Sequence, residues 1–268
     1  MPRVQFKALM AAVHQVALRR GAGFNLPTTL VQANATLFHA FDQRYFAVDP
    51  AQRIFRRDEA MLSIKIFPSA QDSNRFTGSS MDLPGIEPCG GLYCSLQQQA
   101  IVNEVAHYVN ADAVEEATKR GVAPPKPAPR TEVMGTKPVV KIQAMAPVLA
   151  VEFSPHNPNG MGFVNSLGED KGVQDAMKAA GKGRASVWDA MNDGVDCSVA
   201  RGLGLAVAKL GYKALCVQTV RTSERSSLET GDNIVFLGRE GQMVPNLWVV
   251  EAYYFPHGGG IERYPVEY

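Results

Sequence analysis

The chain has 268 residues, 46% hydrophobic and 20% charged, with a formal net charge of +1 at pH 7. This length allows a substantial buried core, and the composition is ordinary for a globular protein. A net charge near zero gives no reason to expect a nucleic acid or an anionic membrane as partner. No segment approaches the roughly 20 apolar residues that a membrane-spanning helix needs.

The cysteines and histidines argue against a metal site and a disulfide framework. The four cysteines contain no C-x-x-C pair, and none of the five histidines lies at a metal-ligand spacing from them. A chain of this size does not need disulfides to fold, so a reducing compartment is the better expectation. We therefore predict no metal and a cytoplasmic protein.

Residues 1–35 are predicted to form an N-terminal helical extension. The segment VQFKALMAAVHQVALRR (4–20) is typical of an amphipathic helix that ends in basic residues before Gly-Ala-Gly. Its apolar character is interrupted by Lys7 and His14, which is unlike a secretory signal. Two roles remain open: a helix that docks on the rest of the chain, or an export or partner-binding segment.

The next block predicts short strands and one helix. LFHAF (37–41) indicates a short strand, and the alternating LSIKIF (62–67) indicates another. After a polar loop, GLYCS (91–95) predicts a strand, followed by a helix at 97–109. Glu104 lies at the edge of the apolar stripe of that helix.

A Pro-rich insertion at about 119–138 separates this block from the last one, because its prolines cannot continue a helix. PVVKIQAMAPVLAVEF (138–153) predicts one or two strands. The Gly- and Asn-rich segment 154–172 predicts a loop.

Further along, Ser198 is predicted to cap a helix that stops at Gly211. KALCVQTV (213–220) and IVFLG (234–238) then indicate two buried strands. Short strands with few helices favour an α+β fold over a doubly wound sheet. RGLGLAV (201–207) contains G-x-G but lacks the third glycine and the preceding strand of a dinucleotide-binding turn.

An ordered set of motifs carries the functional prediction. Asn-Arg-Phe supplies Arg75, GGLYCSLQQQAIVNE supplies Tyr93 and, eleven residues later, Glu104, and GYKAL, QTVR and GDNIVFL follow in that order. This series resembles the RES-domain family, named for its Arg, Glu and Ser residues. Its members are NAD-consuming bacterial toxins, often paired with an antitoxin, on a fold similar to ADP-ribosyltransferase toxins. The resemblance covers roughly residues 36–110 and 190–240.

The resemblance implies an ADP-ribosyltransferase-like α+β fold of two small packed β-sheets with flanking helices. Residues 36–268 would form the NAD-binding catalytic domain. Cleavage of the nicotinamide–ribose bond leaves positive charge on the ribose, which a fixed carboxylate stabilises. The resemblance gives that catalytic role to Glu104. Arg75 would clamp the pyrophosphate of NAD, and Tyr93 would stack on the nicotinamide ring.

Two positions of the family pattern have more than one candidate. The serine position holds Thr219, which would hydrogen-bond phosphate or ribose, but Ser223 or Ser226 could take that role instead. The early basic residue of the first strand is either His39 or Lys65.

The resemblance implies a toxin that degrades NAD as a glycohydrolase or phosphorylase, with a cognate antitoxin or immunity protein as partner. It would act in the cytoplasm, either where it is made or in a target cell into which it is delivered. Two alternatives are an ADP-ribosyltransferase effector that modifies a protein and a non-catalytic partner-binding protein on the same fold.

Overall fold

The chain folds into a mixed α+β structure with one large, mostly antiparallel sheet and flanking helices. The computed structural model describes residues 2–23, 26–40, 55–66, 75–78, 83, 85–98, 100–101, 110, 113–114, 116–126, 139–193, 196–218, 232–254 and 262–267. The strands are β1 (Thr28–Val31), β2 (Thr36–Ala40), β3 (Phe55–Arg56), β4 (Gly90–Ser95), β5 (Val139–Ala144), β6 (Val148–Phe153), β7 (Ala214–Gln218), β8 (Asp232–Gly238), β9 (Leu247–Tyr254) and β10 (Glu262–Glu267). The helices are α1 (Pro2–Gly23), α2 (Arg57–Ser63), α3 (Pro158–Ser166), a 3-10 turn (Leu167–Glu169), α4 (Lys171–Ala179), α5 (Val187–Met191) and α6 (Ser198–Lys209).

The strands are hydrogen-bonded in the order β1-β6-β7-β8-β4-β2-β5-β9-β10-β3. Of the pairings between these strands, β6–β7 and β3–β10 are parallel and the others antiparallel. The expected two small sheets are thus replaced by one sheet of ten strands. Its two five-stranded halves meet at a narrow joint, because β2 and β4 pair at Phe38 and Ser95 alone among their described residues.

Several predicted strands are confirmed. The strands expected around residues 37–41 and 91–95 are β2 and β4, and the segment 138–153 forms both β5 and β6. Those expected at 213–220 and 234–238 are β7 and β8. The last thirty residues, which the resemblance does not cover, add β9 and β10 to the sheet.

Strand alternation gives the sheet two apolar faces. On β8, Val235 and Leu237 belong to the core covered by the helices, whereas Ile234 and Phe236 belong to the core on the opposite face. Tyr93 of β4 pairs with Val235 and packs against the helix-covered core. The side chain of Tyr93 therefore points toward the helices.

Helix α1 is confirmed and docks against the rest of the chain. Leu9, Val13 and Ala17 are no more than 2% exposed, and the helix packs on α6 and α4. An exposed ion pair between Arg19 and Asp170, 2.6 Å long, also joins α1 to the start of α4, although such pairs add little stability. Docking accounts for the buried apolar residues of α1, and an export or partner-binding role stays a prediction.

The strand predicted at 62–67 is wrong. Helix α2 continues to Ser63, and Lys65 makes an isolated bridge with Met243. The helix-forming residues before position 62 carry the helix on, and Ala60 and Ile64, four residues apart, are both buried. The alternation of apolar residues was therefore a misleading signal here.

The loop predicted at 154–172 is also wrong, because this segment contains α3 and the start of α4. The Asn157 side chain accepts hydrogen bonds at the beginning of α3, with Pro158 in the first turn. Asp170 caps α4 in the same way, accepting from the amide of Gly172 at 2.8 Å. Both caps are visible in the sequence, but the many Gly and Asn residues favoured the loop prediction.

Helix α6 lies where a helix was predicted, but Ser198 does not cap it. Ser198 is the first helical residue, and Cys197 occupies the N-cap position. The Cys197 side chain makes no capping hydrogen bond to the helix. The Asp196 carboxylate accepts the amide of Ser198 at 2.9 Å instead. The helix ends at Lys209, and Gly211 follows with φ +93°, as the predicted stop requires.

The two glycines of RGLGLAV are points of close helix contact. A Cβ on Gly202 would lie 2.7 Å from the carbonyl oxygen of Met10 in α1. A Cβ on Gly204 would lie 1.8 Å from the carbonyl oxygen of Phe76. These glycines let α1 and the segment 75–78 approach the backbone of α6, which gives this G-x-G a packing role.

Gly204→Ala should destabilise the protein by about 3 kcal/mol, because the added methyl group must push the Phe76 carbonyl away from α6. Urea unfolding of wild type and variant measures the loss. Gly162→Ala in α3 is the matched control, since no atom lies within 4 Å of its Cβ position. The control should gain about 0.5–1 kcal/mol from helix propensity. Equal effects of the two substitutions would contradict the close contact at Gly204.

Candidate functional site

The segment Arg75–Gly78 is held between helix α6 and strand β4. Phe76 contacts the backbone of α6 at Gly204, and Gly78 forms a bridge with Cys89 just before β4. The bridge consists of two backbone hydrogen bonds of 3.1 and 2.9 Å. A short segment fixed on both sides in this way presents its first residue, Arg75, in a defined position.

Arg75 is a buried cation, with only 6% of its surface exposed. Its Nη2 donates to Oδ1 of Asn192 at 3.3 Å, and its guanidinium carbon lies 5.0 Å from the ring centre of Phe76. Its Nε is buried without a hydrogen-bond partner. No carboxylate in the described ranges pairs with it, although a buried charge normally has such a partner.

Tyr93 fixes the segment that carries Arg75. Its hydroxyl oxygen accepts the backbone N–H of Phe76 at 2.6 Å. The ring is partly exposed and packs against the helix-covered core. The structure therefore brings the segment of Arg75 next to Tyr93. It also gives the Tyr93 hydroxyl a structural hydrogen bond, to the Phe76 amide, that the sequence did not reveal.

His39 lies at the joint between the two halves of the sheet. Its Nδ1 donates to the carbonyl oxygen of Tyr93 at 2.6 Å, since a carbonyl can only accept. Burial lowers the pKa of His39 to about 4, against the smaller opposing effect of this hydrogen bond. The ring is therefore neutral at pH 7 and acts as a hydrogen-bond donor, not as a cation.

His39, and not Lys65, contacts the strand that carries Tyr93. Lys65 forms its isolated bridge with Met243, after β8. Of the two candidates for the early basic position, the structure thus brings only His39 to the Arg75–Tyr93 pair. Its neutral state differs from that of a phosphate-binding cation.

The other predicted site residues, Glu104, Thr219, Ser223 and Ser226, lie outside the residues that the structure describes. The part of the predicted helix that is described agrees with it: Gln98, Ala100 and Ile101 are helical, and the last two are buried. Gln97, where the helix was predicted to begin, lies in a bend, and the remaining residues of the predicted helix are outside the described ranges.

The segments that lead to Glu104 and to Thr219 leave the sheet on the same side, at the carboxyl ends of β4 and β7. Strands β4 and β7 both flank β8, and their last residues, Ser95 and Gln218, pair with Asn233 and Asp232 at its start. Segments that leave neighbouring strands at one edge begin close together. That Glu104 and Thr219 lie together in one site stays a prediction.

Asp232 adds a carboxyl group to this edge. Burial raises its pKa, nearby Glu152 also raises it, and His156 lowers it. Its Oδ1 is buried without a hydrogen-bond partner. Strand alternation places Asp232 on the same face as Ile234, which is the face opposite Tyr93.

Asn192 and its neighbours are residues that the sequence gave no reason to select. Asn192 follows α5, and it meets Arg75 across a separation of 117 residues. Nearby, Lys182 pairs with the carboxylates of Asp193 and Asp196. Contacts over such separations leave no local pattern, so only an alignment of co-varying positions would have signalled them.

Within the described part of the chain, no group of three or more His, Cys, Asp or Glu side chains is arranged to hold a metal ion. The helices in those ranges include none that is both long and apolar enough to cross a bilayer.

Fold and site together define an α+β protein with a ten-stranded sheet and a buried arginine beside strand β4. No family model matches the chain, and no curated protein matches it in sequence. A structure comparison matches a chain in the crystal structure of the M. tuberculosis MbcT–MbcA toxin–antitoxin complex. The match has 11% sequence identity and a TM-score of 0.43, and it covers 91% of this chain and 92% of that chain. This likeness is too weak to assign an activity.

The buried neutral state of His39 predicts a loss of stability in acid. The unfolded chain binds a proton at His39 near the ordinary pKa of 6.5, whereas the folded chain does so only near 4. Stability from this residue is therefore complete above pH 6.5 and falls as the pH drops toward 4. Between pH 7.5 and pH 4.5, wild type should lose about 2–3 kcal/mol more than His39→Asn.

Asn can keep the donor near the Nδ1 position but does not titrate. Urea unfolding at a series of pH values gives the difference between the two proteins, and other titrating groups cancel in it. Parallel pH profiles would show that His39 is already protonated or is not buried in the folded state.

Tyr93→Phe should leave the Phe76 amide without its acceptor, at a cost of about 1–3 kcal/mol. Hydrogen exchange of that amide should become faster while exchange in α1 changes little. Tyr212→Phe is the control, since the Tyr212 hydroxyl has no hydrogen bond in the part of the chain that is described. An unchanged exchange rate of the Phe76 amide in Tyr93→Phe would show that the Tyr93 hydroxyl does not hold the segment 75–78 in place.

Proposed function

We propose that this protein cleaves the nicotinamide–ribose bond of NAD, as a glycohydrolase or phosphorylase. The observation that supports this most is the buried guanidinium of Arg75, whose described hydrogen-bond partner is a neutral amide. Burying a cation costs free energy that a bound anion offsets. A planar guanidinium pairs well with phosphate oxygens, so the anion we assign to Arg75 is the pyrophosphate of NAD.

Glu104 is the proposed catalytic carboxylate. The bond from the ribose carbon to the nicotinamide nitrogen breaks, and its electron pair leaves with the ring, which becomes neutral. Positive charge then develops on the ribose, where a fixed carboxylate stabilises it. An acceptor oxygen bonds to the same carbon and loses its proton to solvent or to a base.

Tyr93 is proposed to stack on the nicotinamide ring. This role and the hydrogen bond to Phe76 are compatible, because stacking uses a face of the phenol ring and the hydrogen bond uses its edge. Thr219 is proposed to hydrogen-bond phosphate or ribose, with Ser223 and Ser226 as alternatives for that role. Residues 36–268 would then form the catalytic domain.

The acceptor distinguishes the competing activities. Water gives a glycohydrolase, inorganic phosphate a phosphorylase, and a protein side chain an ADP-ribosyltransferase effector. NAD depletion is our first choice among them, and it rests on the resemblance in sequence to the RES-domain family.

A toxin of this kind would act in the cytoplasm, either of the cell that makes it or of a target cell. An antitoxin or immunity protein would be its partner. These two proposals also rest on the sequence resemblance. Expression without a partner should inhibit growth, and normal growth with active protein present would count against them.

Pure protein incubated with NAD should release nicotinamide, and Glu104→Gln should lower the rate at least about hundredfold, because the amide keeps the size but removes the charge. Chromatography of the products measures the release and, with phosphate present, identifies the acceptor. Glu116→Gln is the matched control: it removes the same charge from an exposed helical position paired with Arg120, and it should keep the full rate.

The outcomes separate the alternatives. Absence of nicotinamide release at high protein concentration would favour the non-catalytic binding protein. Labelled NAD added to a cell lysate separates depletion from transfer, because persistent labelling of protein would identify an ADP-ribosyltransferase. A folded Glu104→Gln variant with wild-type turnover would remove Glu104 from the mechanism.

A further inference from the structure

Asn192 is held in one orientation at the end of helix α5. Its Nδ2 donates to the carbonyl oxygen of Trp188 at 3.0 Å, and its backbone N–H also bonds the last turn of the helix. Since a carbonyl can only accept, the amide nitrogen must face Trp188. The amide oxygen of Asn192 therefore faces Arg75, whose Nη2 donates to it at 3.3 Å.

Asn192 orients the guanidinium without neutralising it. An aspartate has nearly the same shape, and it would form a charge-assisted pair with the buried arginine. Such a pair would satisfy the charge that a ligand would otherwise meet. The asparagine gives Arg75 one hydrogen bond, and no acid among the described residues neutralises its positive charge.

The two acids that follow Asn192 in the chain pair with another cation. Asp193 and Asp196 both pair with Lys182, whose side chain is only 12% exposed. Asp196 also accepts the amide of Ser198 at 2.9 Å. Both acids are therefore paired with a cation other than Arg75.

We infer that Asn192 is a positioning residue that keeps Arg75 aligned, without itself neutralising the charge, as a site for a pyrophosphate group. The inference rests on the proposed function, in which that group belongs to NAD. The neutral partner and the Lys182 pairs together reserve the charge of Arg75 for the ligand.

Asn192→Asp should weaken binding and preserve the fold, because the new carboxylate pairs with Arg75 in place of the ligand. Titration calorimetry with ADP-ribose and with inorganic pyrophosphate should show Kd values raised about tenfold or more. The Tm should change little, because the new ion pair with Arg75 offsets the lost hydrogen bond to the Trp188 carbonyl, which a carboxylate cannot make. In turnover assays the KM for NAD should rise more than kcat falls. Arg75→Gln should weaken binding of both ligands as well.

Asn165→Asp is the matched control. Asn165 Oδ1 accepts the amide of Trp188 at 3.2 Å, at the other end of α5. Aspartate keeps that acceptor and adds the same charge at the first turn of α5, where the side chain bonds Trp188 and not Arg75, so affinity should stay at the wild-type value. Equal weakening in both variants would indicate a general effect of negative charge and overturn the inference.

The readouts separate this inference from the proposed function. If wild type binds ADP-ribose and releases nicotinamide but Asn192→Asp binds with wild-type affinity, only the role of Asn192 is wrong. A lower Tm with unchanged affinity would show a purely structural residue. If wild type binds pyrophosphate in an Asn192-dependent way but never cleaves NAD, the anion site stands and the proposed function falls. If wild type binds neither ligand, both are wrong.

Discussion

A positive charge that is buried with no acidic partner among the described residues is the constraint on which the proposed site depends. Within the described residues, the desolvated guanidinium of Arg75 donates one hydrogen bond, to a neutral amide oxygen, so other contacts must help to fix its position. Those contacts are made by the next residue, Phe76. Its carbonyl oxygen packs against the backbone of Gly204, which has no side chain, and its amide donates to the Tyr93 hydroxyl. Packing around Phe76 thus holds in place a cation that has no ion pair within the described ranges.

Tyr93 links this segment to the joint between the two halves of the sheet. Its hydroxyl holds Phe76, and its carbonyl accepts from His39 where β2 and β4 no longer pair as strands. A charged imidazole would be costly at this buried position, so the neutral ring is suited to replace a lost backbone hydrogen bond. The strand that leads toward Glu104 is therefore fixed on both sides before it leaves the sheet.

Local patterns predicted much of the fold. Alternating or continuous apolar runs located β2, β4, β7 and β8, because a strand buried on one or both faces must show them. The same signal failed at 62–67, where helix propensity and the burial of Ile64 extended α2. Composition misled at 154–172, where the caps Asn157 and Asp170 outweighed the many glycines.

By itself the sequence determined the period of its apolar residues, the positions of turns and caps, and the order of Arg75, Tyr93, Glu104 and Thr219. These are properties of residue type and spacing. Only the tertiary structure decided that ten strands join one sheet and that the Phe76 carbonyl packs against the backbone of Gly204. It also decided that Asn192 meets Arg75 across 117 residues. Such contacts form when segments that are distant in sequence pack into one core and pair their hydrogen-bonding groups there. Local spacing does not predict which of these segments pair.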